Sequence, residues 1–237
     1  MSAIFAVLAV LPGQAPAGPP AAEIRILFIG NSLTQANDLP AVVTSLAKSA
    51  GRRVTCEMVA FGGFSLDDHW QQGDALKAIR RGGWTFVVLQ QGPSSLAESQ
   101  AQLRESTKRF DVEIRKAGAR TALYMVWPEL ARKEFFDAVS RSYTNAAADV
   151  GGVLLPAGDA WRAAWKRDPA LALYGPDDFH PSPMGTYLAA LVIVNKLFGV
   201  SPVGLPSPGI PAATARVLQD AVRESSKVTV RSSVSAR

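Results

Sequence analysis

Five short apolar runs, most of them followed by a turn rich in glycine or amide side chains, constrain the fold more than any other feature of this sequence. Segments long enough to form a helix separate most of the runs. Strands joined through helices pair in parallel, because a helix-length connection returns the chain to the same end of the sheet. The pattern therefore predicts a doubly wound α/β domain on a five-stranded parallel sheet. The predicted strands are residues 24–29, 54–60, 85–89, 122–127 and 153–155.

Capping residues and apolar spacing predict the helices between these strands. Asp38 is a candidate N-cap with Pro40 in the first turn behind it. Leu103, Phe110 and Ile114 recur at spacings of seven and four, which is typical of one face of a long helix. Besides this long helix, the predicted helices are residues 38–50, which Asp38 begins, 67–80, 135–148, 183–198 and 212–223.

Length and composition indicate one globular domain. The chain has 237 residues with 48% hydrophobic and 19% charged residues, and no linker divides it. We assign residues 23–224 to this domain and expect residues 225–237 to form a flexible tail. Cys56 is the single cysteine, which excludes an intrachain disulfide and a multi-cysteine metal site.

The net charge of +5 raises the question of a nucleic-acid partner. The basic residues occur as scattered pairs without interleaved aromatic residues, so we interpret them as solvated surface and predict no nucleic-acid partner. A basic surface that binds nucleic acid or anionic lipid is the weaker alternative, and steep loss of binding with salt would be its signature.

Residues 1–22 resemble a signal peptide or a disordered leader. Residues 4–11 form a short apolar run, and Ala15-Pro16-Ala17 has the small-x-small form of a cleavage site. No Lys or Arg precedes the run, which departs from the usual positive start. We expect export to the periplasm or the medium, and a cytoplasmic protein if the leader is not a signal peptide. Neither this run nor residues 183–198 is long enough for stable membrane insertion.

The residues that follow the predicted strands are the candidates for a functional site. In doubly wound sheets ligands bind beyond the carboxyl ends of the strands. The residues predicted on that rim are Ser32, Gly62-Gly63, Gln90-Gln91-Gly92 and Trp127-Pro128.

A serine, a histidine and an aspartate have the residue types and the setting for nucleophilic catalysis. A serine hydroxyl is a weak nucleophile until a base takes its proton, and a third group must orient that base. Ser32 is the candidate nucleophile, His180 the base and Asp177 the orienting acid, with Asp178 as the rival. Each has a simpler explanation alone, as a turn, cap or loop residue. Three prolines around Asp177 and His180 indicate a rigid loop before a buried helix, which favours the catalytic interpretation.

Acyl transfer also needs donors for the developing oxyanion. We predict the main-chain N–H groups of Ser32 and Gly63 and the side-chain amide of Gln91, although a turn glycine and a polar strand end explain the last two equally well. His69 is expected at a helix start near the rim. Three tryptophans are candidates for a sugar-stacking wall, with core packing the favoured use of each: Trp127, Trp161 and Trp165.

Several other kinds of site are disfavoured by the sequence. Gly30-x-Ser32-x-Thr34 lacks the final glycine of a nucleophile elbow. No phosphate loop and no Gly-x-Gly-x-x-Gly follow the first strand, which argues against a dinucleotide-binding protein. Asp177, Asp178 and His180 lack a second cluster of metal ligands near a strand end. We therefore predict neither a cofactor nor a metal.

At these residues the chain resembles the SGNH hydrolases, also called GDSL-like esterases and lipases. The similar blocks are Gly30-Asn31-Ser32-Leu33 for the nucleophile, Gly62-Gly63-Phe64-Ser65 for an oxyanion glycine and Asp177-x-x-His180 for the acid and base. The resemblance covers residues 24–198. It implies a flavodoxin-like three-layer α/β/α fold, no cofactor, and hydrolysis of esters, often of acyl groups on carbohydrates or lipids.

The chain departs from the family pattern at two places. Asn31 stands where the common first block has Asp. The third block, normally Gly-x-Asn-Asp, reads Gly92-Pro93-Ser94-Ser95, so the usual side-chain oxyanion donor is missing. Gln91 is the expected substitute and Ser94 the second choice. The sequence leaves two functions open, a serine esterase acting on a small-molecule or glycan ester and a non-catalytic carbohydrate-binding relative.

Overall fold

The computed structural model describes residues 23–234, with side chains through residue 225. Its centre is a parallel sheet of five strands in the order β2-β1-β3-β4-β5. This is the predicted doubly wound sheet, and helices surround it in three α/β/α layers. The strands are β1 Ile24–Gly30, β2 Val54–Ala60, β3 Phe86–Leu89, β4 Arg120–Met125 and β5 Val153–Pro156.

The helices form two groups that cover the sheet. Helices α2, α7, α8 and α9 pack in one group, and helices α3 to α6 pack in the other. Two 3₁₀ turns, Ala36–Asp38 and Leu130–Phe135, complete the elements. The helices are α1 Ser32–Gln35, α2 Leu39–Ser49, α3 Leu66–Gln72, α4 Asp74–Arg80, α5 Ala97–Lys116, α6 Phe136–Asp149, α7 Ala157–Arg167, α8 Pro183–Phe198 and α9 Ala212–Val234.

The buried core explains why the first strand is almost wholly apolar. The run from Ile26 to Ile29 is completely buried, because β1 lies between β2 and β3 and both faces are covered. The chain order around β1 reverses direction at this point, since β2 lies on one side and β3 on the other. Such a switch point leaves a crevice at the carboxyl ends of the two strands. Ser32 follows β1 at this crevice.

Most predicted helices are present, one is divided in two, and one further helix was not predicted. Residues 67–80 form two helices, because Gly73 adopts a left-handed φ of 90° that ends α3. Helix α7 was not predicted; it follows β5 directly and buries Trp161. Asp38 caps α2 as predicted, since its Oδ1 accepts from the N–H of Ala41 at 3.3 Å.

The ends of the chain bear on two predictions. The proposed leader, residues 1–22, lies outside the described residues, as do the last three residues of the proposed tail. Helix α9 is longer than predicted, since it continues to Val234 instead of ending at residue 223. Between residues 23 and 234, no helix combines the length and apolar character that a membrane span requires.

Several of the scattered basic pairs are neutralised by carboxylates. Arg80 and Lys116 both contact Glu113, and Arg81 contacts Glu57 at 2.6 Å. These contacts are those of a solvated surface. The absence of a nucleic-acid partner stays a prediction.

Candidate active site

Ser32 lies on a short turn at the carboxyl end of β1, which we call the nucleophile turn (residues 30–35). Asn31 caps the four-residue helix α1, because its side-chain Oδ1 accepts from the N–H of Leu33 at 3.1 Å. Ser32 is the first helical residue. It is partly exposed, whereas its neighbours Asn31 and Leu33 are buried. The turn thus presents one serine side chain from an otherwise buried segment.

The turn closes tightly around Gly30. A Cβ atom on this glycine would lie far inside van der Waals contact with Oε1 of Gln90 and Oγ1 of Thr34. No other residue type therefore fits at position 30 without displacing one of these two side chains.

His180 and Asp177 lie on the histidine loop (residues 174–183), which precedes α8. The loop folds back on itself through a bridge between Tyr174 and Pro181, and the Gly175 N–H donates to the His180 carbonyl at 2.7 Å. Asp178 adopts a left-handed φ of 58° at its tip. This compact turn brings the side chains of Asp177 and His180 to the same side.

The structure brings Ser32, His180 and Asp177 into one hydrogen-bonded chain. Nε2 of His180 lies 2.8 Å from Oγ of Ser32, although 148 residues separate them in sequence. Nδ1 of His180 lies 2.5 Å from Oδ2 of Asp177. Because the carboxylate can only accept, Nδ1 carries the proton and Nε2 is left to accept from the serine hydroxyl. Asp178, the rival acid, makes no side-chain hydrogen bond to His180.

Asp177 is strongly stabilised as a carboxylate. Hydrogen bonds from the His180 side chain, and then from the backbone N–H groups of His180 and Phe179, lower its pKa to about 2. The side chain of Asp177 is 53% exposed and that of His180 is 37% exposed. The acid therefore stays charged at any ordinary pH, in an open setting.

Two neighbouring segments hold the histidine loop in place. On one side, Nδ2 of Asn37 donates to the Pro181 carbonyl and to Oγ1 of Thr186, each at 2.9 Å. On the other side, the indole N–H of Trp127 donates to the Phe179 carbonyl at 3.0 Å. Asn37 lies five residues after Ser32. Its hydrogen bonds therefore connect the chain just after the nucleophile turn directly to the histidine loop.

The Gly62-Gly63 turn follows β2 beside the nucleophile turn. Gly63 has a φ of 76°, which favours glycine, and open space surrounds its α-carbon. Its N–H has no acceptor among the described residues. Nδ2 of Asn31 donates to the carbonyl of Phe64, the next residue, at 3.0 Å. The structure therefore places Gly63 next to the serine turn with its N–H available.

Gln91 is buried, and its side chain contacts groups other than Ser32. Oε1 accepts from the Leu66 N–H at 3.2 Å, and Nε2 donates to Oγ of Ser94 at 2.8 Å. Ser94 in turn donates to the Gly92 carbonyl. The structure does not bring Gln91 or Ser94 into a hydrogen bond with Ser32 or His180. The role of Gln91 as an oxyanion donor stays a prediction.

Gln90, which the sequence analysis placed on the rim without a role, contacts the nucleophile turn instead. It is completely buried, and its Oε1 accepts from the Asn31 N–H at 2.9 Å and from the Thr34 hydroxyl at 2.7 Å. Two adjacent glutamines after a strand were the only signal in the sequence. They do not reveal which of the two side chains reaches the neighbouring strand.

His69 and two of the three tryptophan candidates belong to the interior, whereas Trp165 is half-buried. His69 is completely buried, which lowers its pKa, and its Nε2 donates to the Gly30 carbonyl at 2.7 Å. Trp127 and Trp161 are also completely buried and stack with ring centroids 3.6 Å apart. Trp165 packs edge-on against Trp161. Core packing, the favoured interpretation of these tryptophans, therefore applies, and His69 supports the end of β1.

Metal-ligating side chains do not gather at this site. Among the described residues, no group of three or more His, Cys, Asp or Glu side chains lies close enough to hold a metal ion. The hydrogen bonds among Ser32, His180 and Asp177 are those that proton transfer and nucleophilic attack by a serine require.

Comparison with known proteins identifies the family. No known family model matches the sequence, and no curated protein matches it. A solved structure from Slackia heliotrinireducens, described as an SGNH hydrolase, is 30% identical, with a TM-score of 0.64 over 74% of this chain and 100% of that one. The chain belongs to the SGNH hydrolase superfamily.

Two solved structures of lower sequence identity share the fold. A DUF4886 family protein from Bacteroides uniformis is 19% identical, with a TM-score of 0.75 over 86% of this chain and 95% of that one. An acetylxylan esterase from Geobacillus stearothermophilus is 15% identical, with a TM-score of 0.56 over 73% of this chain and 93% of that one. The family assignment confirms the resemblance drawn from the serine, glycine and histidine blocks, and it supports a general hydrolase role.

Proposed function

We propose that this SGNH hydrolase is a serine esterase in which Ser32 is the nucleophile, His180 the base and Asp177 the orienting acid. One observation carries the proposal, the continuous hydrogen-bonded chain from Ser32 Oγ through the His180 ring to Asp177 Oδ2. Such a chain satisfies the geometric requirement for an activated serine, because the base lies within hydrogen-bond reach and is itself oriented.

The reaction then proceeds in two steps. Ser32 Oγ bonds to the acyl carbon while its proton passes to Nε2 of His180. The tetrahedral intermediate collapses, the bond to the alcohol oxygen breaks, and His180 returns the proton to that oxygen. A water molecule repeats the sequence on the acyl-enzyme and releases the carboxylic acid. Asp177 remains a carboxylate throughout and stabilises the imidazolium, in keeping with its pKa of about 2.

The oxyanion is held by main-chain donors. The N–H groups of Ser32 and Gly63 have no acceptor among the described residues and lie on adjacent turns. We keep Gln91 as the third donor. Because its Nε2 already gives one hydrogen to Ser94, the second hydrogen would have to serve.

For the substrate we propose acyl groups on a carbohydrate or a lipid. The open setting of His180 and Asp177 suits an ester on a large alcohol, and one fold relative is named as an acetylxylan esterase. We also propose that the protein is exported, on the basis of its first 22 residues.

A non-catalytic carbohydrate-binding protein is the second candidate. The observation that favours it is the bonding of Gln91 to Ser94, which ties up the residues expected to replace the missing amide donor. Such a protein would bind acylated glycans equally well after Ser32→Ala.

The two candidates are separated by the release of p-nitrophenol from p-nitrophenyl acetate. Wild type should give a burst followed by a slower steady rate, since acylation precedes deacylation. Ser32→Ala and His180→Ala should lose the burst and at least about 10⁴-fold of the turnover, with unchanged circular dichroism. Ser182→Ala removes a hydroxyl of the histidine loop that caps α8 and donates to the Ala172 carbonyl. Neither contact reaches Ser32 or His180, so this variant should keep the burst. Equal release by Ser32→Ala and wild type would exclude the esterase mechanism.

A further inference from the structure

The buried Gln90 carboxamide uses all of its hydrogen-bonding capacity at the nucleophile turn. Oε1 accepts two hydrogen bonds, from the Asn31 N–H and the Thr34 hydroxyl. Nε2 donates two, to Oδ1 of Asn31 at 2.9 Å and to the Gln91 carbonyl at 2.5 Å. An amide has two acceptor sites and two donor hydrogens, so no capacity is left over.

The Asn31 carboxamide continues this network in the opposite direction. Its Oδ1 accepts from Gln90 Nε2 and from the Leu33 N–H, and its Nδ2 donates to the Phe64 carbonyl. Main-chain groups fix both amide orientations, because an N–H can only donate and a carbonyl can only accept. The two side chains therefore fit each other in one orientation only.

This network determines which main-chain donor of the turn remains available. Ser32 has the only main-chain N–H in residues 31–36 without an acceptor among the described residues. The other N–H groups donate as follows: Asn31 to Gln90 Oε1, Leu33 to Asn31 Oδ1, Thr34 and Gln35 to the Asn31 carbonyl, and Ala36 to the Ser32 carbonyl.

The same network sets the position of the second donor. Asn31 Nδ2 holds the carbonyl of Phe64, and Phe64 directly follows Gly63. The N–H of Phe64 also donates to the Phe61 carbonyl, which closes the glycine turn. Asn31 therefore contacts both segments that carry the proposed oxyanion donors, and Gln90, which follows β3, holds Asn31 in place.

We propose that Asn31 and Gln90 are a paired amide device that positions the Ser32 and Gly63 N–H groups as one oxyanion hole. Both are positioning residues, since they act through the main chain of their neighbours. The device rests on the esterase function proposed above.

Carboxylates of the same size cannot replace these amides. Asp at position 31 loses the donation to the Phe64 carbonyl, and Glu at position 90 faces Asn31 Oδ1 and the Gln91 carbonyl without a hydrogen to give. Each change also sets a negative charge near the place where the oxyanion develops. Transition-state stabilisation should therefore fall while ground-state binding of the ester is retained.

The test compares Asn31→Asp and Gln90→Glu with wild type in steady-state hydrolysis of p-nitrophenyl acetate. We expect kcat to fall about 10²-fold in each variant, with KM within about threefold of wild type. Gln219→Glu is the matched control, because Gln219 in α9 is also a buried amide and its side chain makes three hydrogen bonds. The kcat of this variant per folded molecule should be unchanged. Asn31→Asp also restores the family's common first block, so sequence resemblance alone predicts a gain in activity. Such a gain would overturn the proposal.

Two further variants keep the test decisive. Asn31→Ser retains a capping oxygen for α1 but cannot span Gln90 and Phe64, so it should fold and still lose kcat. The single variants Asn31→Ala and Gln90→Ala are compared with the double variant that carries both changes. If the two amides work as one unit, kcat of the double variant should be no lower than that of the slower single alanine variant. Losses that multiply would overturn the pairing.

The remaining outcomes are also distinct. Folded Asn31→Asp, Asn31→Ser and Gln90→Glu proteins that keep kcat within about threefold of wild type would overturn the device while leaving the esterase intact. Wild-type hydrolysis that does not depend on Ser32 would overturn both proposals, because no acyl-serine oxyanion would exist to be held.

Discussion

The nucleophile turn is held by buried side-chain amides, whereas the histidine loop is held near the surface by contacts to its main chain. Gln90 and Asn31 are 0% and 6% exposed, but the side chains of His180 and Asp177 are 37% and 53% exposed. The nucleophile turn directly follows the central strand β1, whose residues 26–29 are completely buried. The exposed half depends on a short proline-rich loop and on a few bonds from Asn37, Trp127 and Leu130.

Because of this difference, the nucleophile turn and the histidine loop should be sensitive to different kinds of substitution. Small changes of volume should damage the nucleophile turn, because close-packed interiors do not adjust to an added methyl group. The histidine loop is less crowded, since a Cβ on Gly175 would lie 3.3 Å from the His180 carbonyl, whereas a Cβ on Gly30 would lie far inside van der Waals contact with its neighbours. It should instead be sensitive to changes in charge and in the bonds that orient the imidazole.

A pair of glycine substitutions gives the largest expected contrast. Gly30→Ala places a Cβ against Gln90 and Thr34, so we expect about 10³-fold lower kcat/KM and about 1–3 kcal/mol less stability. Gly175→Ala places its Cβ 3.3 Å from the His180 carbonyl and should cost less than about tenfold in kcat/KM. Ester hydrolysis and urea unfolding measure both. Similar losses in the two variants would remove the distinction between the halves.

The charge of the histidine loop is tested by Asp177→Asn. The variant keeps the shape of the side chain but loses the negative charge that stabilises the imidazolium, so kcat should fall about 10²-fold. We expect a smaller loss than for a buried triad acid, because solvent screens this carboxylate. Asp178→Asn, the change at the rival acid one residue along, should leave kcat within about twofold of wild type. The reverse ranking would make Asp178 the orienting acid.

The bond between the two halves is tested by Asn37→Gly. Asn37 has a φ of 51°, which glycine adopts without strain, so the variant removes the hydrogen bonds to Pro181 and Thr186 without disturbing the backbone. We expect kcat/KM to fall about tenfold, because the histidine loop is then held less firmly at its position relative to Ser32. Asp38→Gly, at the same φ of 51°, removes only the cap of α2. It should lower the melting temperature and leave kcat/KM unchanged.

The smallest effect is the pH dependence of stability contributed by Asp177. Its pKa is lowered from 3.8 to about 2 in the folded protein. A lowered pKa adds stability that is present above the ordinary value of 3.8 and is lost as the pH falls through about 2. The melting temperatures of wild type and Asp177→Asn should therefore differ slightly at pH 6 and converge near pH 2. A gap that widens on acidification would contradict this sign.

The sequence predicts the site's reacting groups better than their supports. Ser32, His180 and Asp177 stand at a strand end and in a proline-rich loop, which are local signals, and the structure brings them together. The choice between Gln90 and Gln91 is not local. Successive side chains of a strand point to opposite faces, so which glutamine reaches Asn31 depends on how β3 pairs with β1.

Two helices show the same limit. The break at Gly73 was missed because a single glycine inside a helical pattern is compatible with a continuous helix. Helix α7 was not predicted because it follows β5 without a turn residue or a side-chain N-cap to mark its start. Only packing shows that Trp161 is stacked on Trp127 in the interior.

The most direct test of the central claim is covalent labelling of the full chain with a fluorophosphonate, followed by peptide mass mapping. This reagent captures an activated serine whatever the natural ester is. We predict a single adduct on Ser32, formed at wild-type rates in Asp178→Asn and abolished in His180→Ala. A well-folded protein that forms no adduct, or forms one on another serine, would contradict the assignment of Ser32 as the nucleophile.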